Sequence, residues 1–181
     1  MLQQQMEKIY RDIPPEQIPW NIKIPPDIFA KLVKKKIKPC KAIELAQNSA
    51  LKNGVDCSFI ASDVLGEMSN VKGIFDFAYD WELLHHIFPQ YREKYIKNVY
   101  RLLNNKGQYL SVCFSDESPQ FGGVGKYRKT PLDTILYFSS ESEMISLFKP
   151  FFNIEELKTI DVKGKFGIHK AIYAFMEKIT Y

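Results

Sequence analysis

Between Gly73 and Ile87 the chain reads G-I-F-D-F-A-Y-D-W-E-L-L-H-H-I, and its hydrophobic period changes in mid-segment. That switch constrains the fold more than any other feature. Ile74 to Tyr79 is an apolar and aromatic run broken only by Asp76, read as a buried strand ending in Asp80; Trp81, Leu83, Leu84 and Ile87 follow at helical spacing. Two other runs end alike. Cys57 to Ser62 runs into Asp63, and Tyr109 to Phe114 runs into Ser115 and Asp116. Helical periodicity separates all three, which predicts a parallel sheet in an α/β domain. Open α/β sheets bind ligands along the edge made by the carboxyl ends of their strands. Asp63, Asp80 and Asp116 are therefore expected at one rim.

A chain of 181 residues is most simply one domain. We divide it into an N-terminal arm or lid, 1–26, and a single α/β domain, 27–181. The net charge of +4 is mild, and Lys34, Lys35, Lys36 and Lys38 are the only basic cluster. No aromatic side chains are interleaved with them, so they read as the solvated end of a helix, and no nucleic-acid partner is expected. Cys40, Cys57 and Cys113 are odd in number and show no paired spacing. They read as small buried hydrophobes in a reducing compartment, with neither a disulfide frame nor a metal site. The N-terminus is Gln-rich and polar, unlike a signal peptide, and no apolar run is long enough to cross a bilayer. A cytoplasmic protein without a membrane partner is expected.

The arm carries Pro14, Pro15, Pro19, Pro25 and Pro26, too many for a long helix, and its Ile9, Tyr10, Ile13, Ile18 and Trp20 need a surface to cover. It is either a lid over the ligand rim or a strap on the core. Asp27 then caps a helix to about Lys36, and Lys41 to Asn53 forms a second one stopped by Gly54. Two helices thus follow one another where a doubly wound domain would begin with a strand and a glycine-rich turn. Val55 to Ser62 is the first strand. Gln90 to Leu103 is a helix, with Tyr91, Tyr95, Val99, Leu102 and Leu103 recurring at three and four, and Asn104 to Gly107 closes it as a helix stop. Tyr109 to Phe114 is the third parallel strand.

Ser115 to Phe138 reads as a long polar loop shaping an acceptor pocket. Its Gly122, Gly123 and Gly125 do not make a phosphate-binding loop, because Lys126 is followed by Tyr127 and the position of the first glycine is Gln120. Ser140 and Glu143 form a capping box for a helix to about Phe148, and two strands, Phe152 to Val162 and Lys170 to Lys178, pair antiparallel across Lys163-Gly164-Lys165.

This order of elements resembles the class I S-adenosylmethionine-dependent methyltransferases, in particular the small thiopurine and tellurite-resistance type. The resemblance rests on Ile18-Pro19-Trp20-Asn21 with Pro25-Pro26 in the arm, on Phe59 to Leu65, and on Phe75 to Asp80 continuing through Leu84-His85-His86-Ile87. Asn105 to Leu110 with Cys113 to Glu117 is similar to the family's fifth-strand entry, with Asn and Lys where Pro and Gly are usual. It covers roughly Trp20 to the C-terminus, and only the fourth-strand motif is specific by itself. It implies a Rossmann-like sheet, mostly parallel with an antiparallel C-terminal hairpin strand. The family's first strand, its D-x-G-x-G-x-G turn and its second strand are missing between Cys40 and Lys41, a βαβ unit of about 30 residues. Strands three and four could close that gap.

The resemblance also implies a cofactor, S-adenosyl-L-methionine, and the residues that hold it. Asp63 would accept from the adenine amine beside the Val64 backbone N–H, or else cap a helix. Asp80 would face the methionine end, flanked by the aromatic walls Tyr79 and Trp81, with Trp20 contributed by the arm. Tyr10, His85, Asp116 and Glu117 would line the acceptor side. Adjacent helical residues point about 100° apart, so His85 and His86 do not form an i, i+4 metal pair. No catalytic residue is assigned, since methyl transfer from a sulfonium to a soft nucleophile needs mainly positioning and exclusion of water. The leading expectation is methyl transfer to a small-molecule acceptor. Its rival is a non-catalytic binding or scaffolding protein that has lost the cofactor turn; a nucleotide-dependent oxidoreductase is disfavoured, because no G-x-G-x-x-G follows a strand.

Overall fold

The computed structural model describes residues 62–164 and 167–180, together with Gly54 and Ile60. The arm, both N-terminal helices and all of the first predicted strand but Ile60 and Ser62 lie outside the described residues. The main sheet consists of β1 (Phe75–Trp81), β2 (Leu103–Phe114), β5 (Phe152–Gly164) and β6 (Gly167–Lys178), in the order β1-β2-β6-β5. A two-stranded ribbon, β3 (Tyr127–Lys129) with β4 (Ile135–Tyr137), stands apart from it. Among the described residues two helices, α1 (Pro89–Leu102) and α2 (Glu141–Phe148), accompany these strands, with short 3-10 turns at Leu84–His86 and Gln120–Gly122.

β1 and β2 are parallel, whereas β6 runs antiparallel to both β2 and β5. Among the described residues the sheet is thus mixed, with one parallel and two antiparallel junctions; the expectation of a mostly parallel sheet counted a strand from the region outside them. Period-two alternation sorts the side chains into two layers. Ala78, Tyr109, Cys113, Ile172, Ala174 and Met176 pack with Tyr95, Ile96 and Val99 of α1 and Met144 and Phe148 of α2. Their neighbours Tyr79, Trp81, Leu110, Val112, Tyr173 and Phe175 cluster on the other face. Leu110, Val112 and Phe175 are fully buried there, so the sheet is apolar on both sides, as a central α/β sheet is.

α1 begins at Pro89, whose missing N–H costs nothing in the first turn, and the preceding Phe88 is extended as proline requires. The Asn104 to Gly107 segment is not a free helix stop. The chain is already extended at Leu103, so α1 runs directly into β2. The surplus residues form a bulge: Phe75 pairs with Leu103 but Phe77 with Gln108. Lys106 takes the left-handed conformation there, and a Cβ at Gly107 would come within 2.9 Å of the Asn104 carbonyl oxygen.

Ser115 to Phe138 also differs from its reading as a polar loop, because it holds the β3–β4 ribbon. Three-residue strands are too short to show periodicity. The hairpin turn is closed by Thr130 N–H donating to the Thr134 carbonyl, with Asp133 rather than glycine in the left-handed region. The Ser140 capping box is present as expected, and the C-terminal hairpin extends past its predicted ends to Gly164 and Gly167.

Candidate functional site

β1 and β2 are parallel, so their carboxyl ends, Trp81 and Phe114, lie on one edge of the sheet. β6 enters the sheet at that edge, since Phe114 pairs with Ala171 near the start of the antiparallel strand. The rim is therefore built from the residues after β1, the residues after β2 and the first residues of β6.

Asp80 belongs to the helix-side layer. It is buried, and its Oδ2 accepts from the hydroxyls of Tyr95, at 3.1 Å, and of Tyr109. Ser111 Oγ donates to Oδ1 at 3.1 Å. Burial pushes this carboxyl up to about 6, against the opposing pull of the three hydroxyls and of Arg92. Its lone pairs are committed beneath α1, which is a packing role.

Glu82 behaves differently. By alternation it belongs on the face of Asp80, but its backbone is left-handed, with φ of 61°. The main chain stays docked, its N–H donating to the Val112 carbonyl at 2.7 Å. The side chain meets His169 of β6, with Oε1 2.6 Å from Nε2. His169 shares the parity of Ala171 and Tyr173 on the opposite face and packs edge-on against Phe114 at 4.8 Å. The side chains of His169 and Glu82 are only 7% and 17% exposed. The left-handed residue thus carries a carboxylate across the rim.

His85 and His86 are buried. His85 Nδ1 accepts from the Phe114 N–H at 3.4 Å, and its ring packs on Phe114 at 4.4 Å and on His86 at 4.6 Å. Burial lowers the His85 imidazole well below its usual range, helped by His86, Arg92 and His169, and burial lowers His86 to about 4. Both are neutral near pH 7. Arg92, whose own pKa is lowered by burial, fixes this turn by donating to the carbonyls of Ile87 at 2.7 Å and Leu84 at 3.1 Å and to Ser139 Oγ at 2.8 Å.

The segment after β2 is held by a second buried arginine. Arg128 donates to the carbonyls of Asp116, Ser118, Gln120 and Gly125, and its guanidinium lies 4.0 Å from the centre of the Phe138 ring. Gln120 Nε2 donates to the Ile168 carbonyl at 3.4 Å, which lays this segment beside the start of β6. Asp116 is tied in through its N–H to the Ser139 carbonyl, and its carboxylate lies 3.8 Å from Lys126 Nζ. Lys126 also pairs with Glu143 at 2.6 Å. Burial raises the Glu143 carboxyl, but Lys126, the Ser140 N–H and the Tyr137 hydroxyl outweigh it and hold it at about 2. Glu117 is exposed, its N–H donating to Ser115 Oγ.

Asp63 is exposed, with Oδ1 accepting from the Leu65 N–H at 2.9 Å, and the Val64 carbonyl is held by Asn98. Tyr79 and Trp81 are half-buried on the face away from α1. Tyr10 and Trp20 lie outside the described residues. Of the expected site residues, Asp80, Trp81, His85, Asp116 and Glu117 are at or just behind the rim; Asp63 is not brought there, because the Val64 and Gly66 carbonyls that follow it are held by Asn98, in the half of α1 away from its rim-side start. Sequence reasoning missed Glu82, Arg92, Arg128 and His169. Arg92 stands one turn before Tyr95 and Ile96 on the apolar face of α1 and could have been found there; Glu82 and His169 are 87 residues apart with no shared pattern. A shallow cleft of about 520 Å³ between Asp76, Arg101, Asn104 and Lys178 lies at the opposite ends of β1 and β2. Among the described residues no group of His, Cys, Asp and Glu could hold a metal ion, and no helix is long and apolar enough to cross a membrane. Cys113 is a free, buried thiol, pushed up to about 12 by burial.

No protein-family model matches the chain, and no curated protein matches its sequence. Solved structures do match. A structure described under the conversion of a disulfide bond into a thioacetal group during echinomycin biosynthesis has a TM-score of 0.77 at 15% identity, covering 98% of this chain and 93% of its own. A SAM-dependent methyltransferase from Methanosarcina mazei has a TM-score of 0.59 at 17% identity, covering 70% of this chain and 69% of that one. The 1,6-didemethyltoxoflavin-N1-methyltransferase of Burkholderia thailandensis, solved with S-adenosylhomocysteine, has a TM-score of 0.55 at 22% identity, covering 72% of this chain and 55% of that one. The fold is the Rossmann-like fold of the SAM-dependent methyltransferases.

Proposed function

We propose that this chain transfers the methyl group of S-adenosyl-L-methionine to a small-molecule acceptor. The observation that carries the reading is the likeness to SAM-dependent methyltransferases, at TM-scores of 0.59 and 0.55 over 70% and 72% of the chain. Two of the expected cofactor residues have surface to offer it, Asp63 away from the rim and Trp81 on it. Asp63 keeps its carboxylate in solvent while the Leu65 N–H fixes its orientation, as an acceptor for an adenine amine must. Trp81 is half-buried at the strand end with an aromatic surface for the adenosyl and methionine portions. When bound, the cofactor supplies an electrophilic methyl on a sulfonium.

The chain's own residues then orient and exclude water. We assign adenine binding to Asp63 and Val64, the wall of the site to Tyr79, Trp81 and Trp20, and the acceptor side to Tyr10, His85, Asp116 and Glu117. Asp80 acts by positioning, since its oxygens are engaged by Tyr95, Tyr109 and Ser111. Arg128 and Arg92 hold the two segments that frame the acceptor. Tryptophan fluorescence tests the reading. In the wild type, S-adenosylhomocysteine is expected to change tryptophan emission saturably, and Asp63→Ala to weaken binding roughly five- to hundredfold, the loss of one hydrogen bond of about 1–3 kcal/mol. An emission unchanged by ligand at millimolar concentration would refute it.

A further inference from the structure

We infer that Glu82 is the proton acceptor of the acceptor site, positioned by His169, so that the substrate is a protic oxygen or nitrogen nucleophile. The inference rests on the methyltransferase reading and narrows its substrate class. Methyl transfer to a thiolate needs no base, because the nucleophile carries no proton to lose. A hydroxyl or amine loses one as it is alkylated, and a carboxylate at the reacting edge of the sheet is the group to receive it.

Three observations converge on Glu82. Its side chain is the more open member of a nearly buried pair, 17% against 7% for His169, so of the two it has more surface to offer a ligand. The 2.6 Å bond uses one oxygen, Oε1, and fixes the side chain through a histidine 87 residues away. The left-handed backbone, at φ of 61°, is a conformation a glutamate adopts at a cost, and such outliers persist where the surroundings enforce them. Here Val112 enforces it through the backbone, and the segment held by Arg128 reaches the neighbouring Ile168 through Gln120. Phe121 in that segment is also left-handed, with φ of 55°, and packs edge-on against Phe114.

The step balances without any further reagent. The acceptor's lone pair forms the bond to the methyl carbon, and the electron pair of the broken carbon–sulfur bond stays on the sulfonium sulfur, leaving a neutral thioether. Glu82 takes the O–H or N–H proton and returns it to water on product release. His169 Nε2 holds Oε1 at 2.6 Å and so fixes the carboxylate, leaving Oε2 for the acceptor's proton. Glu82 is thus the catalytic residue and His169 a positioning residue.

The test uses the full chain and three matched probes: thiophenol, which is largely anionic above neutral pH, phenol and aniline. Formation of S-adenosylhomocysteine is followed for the wild type, Glu82→Gln and His169→Asn, and its affinity is measured for each. Glu82→Gln is expected to lower phenol or aniline turnover at least tenfold, to leave thiophenol within twofold, and to leave S-adenosylhomocysteine affinity unchanged. His169→Asn should give the same selective loss, smaller in size. In parallel, phenol added to the S-adenosylhomocysteine complex should shift the His169 imidazole resonances of the wild type. Equal losses on all three probes, no loss on any, or neither phenol nor aniline turnover together with an unshifted His169 would overturn the inference. Failure of the wild type to bind S-adenosylhomocysteine would instead overturn the methyltransferase reading beneath it.

Discussion

Asp80 and Glu82 stand two residues apart at the end of β1, and a regular strand would set them on one face. Asp80 obeys and is sealed beneath α1 by three hydroxyls. Glu82 departs from the strand through one left-handed residue and pairs with an imidazole on the opposite face. The difference separates two uses of a carboxylate at a strand end. One locks the helix to the sheet, and the other is held at the rim where a ligand can reach it.

The comparison can be broken most directly from the Asp80 side. Asp80→Ala removes the acceptor of three buried hydroxyls, each costing about 1–3 kcal/mol when left unsatisfied, so a loss of about 3–5 kcal/mol in urea unfolding is expected. A loss below about 1 kcal/mol would mean that the hydroxyls find other partners and that Asp80 is not the lock.

The pH dependence comes next in size. Burial raises the folded Asp80 from 3.8 to about 6, so between those values the folded state binds more protons than the unfolded one. Its contribution is fully present below pH 4 and is lost as pH rises through about 6, by on the order of 2–3 kcal/mol. His86 has the opposite sign. Its folded pKa is lowered from 6.5 to about 4, so its contribution is lost as pH falls through that window. Asp80 is therefore read as a difference: the stability of wild type minus Asp80→Asn should fall from pH 4 to pH 6.5. A flat or rising difference contradicts the buried-acid account.

Glu82→Gln should have the smallest effect on stability, within about 1 kcal/mol, because the amide can keep a hydrogen bond to His169 and the site is partly open. A destabilisation as large as that of Asp80→Ala would erase the contrast and make Glu82 a second lock.

Much of this architecture is written in local pattern. The switch of period after Asp80, the recurrence of Tyr95 and Val99 along α1, and the Ser140–Glu143 capping box each act within one turn or strand. The β3–β4 ribbon escaped notice because its stability comes from Arg128 reaching four carbonyls of its own loop. The bulge at Asn104 to Gly107 escaped because register between β1 and β2 is settled by pairing across the sheet. At the candidate site, Asp80 and Asp116 were legible beside strand ends, but alternation alone places Glu82 on the wrong face. Its partner becomes visible only once β6 lies next to β2.

The central claim is that this chain holds the cofactor of a methyltransferase. Titration calorimetry with S-adenosylhomocysteine, on protein whose intact mass is verified as 21.1 kDa, tests it most directly. The account predicts saturable one-to-one binding in the micromolar range, weakened by Asp63→Ala and preserved in Glu82→Gln. No heat of binding at that mass, in protein shown to be folded, would contradict it.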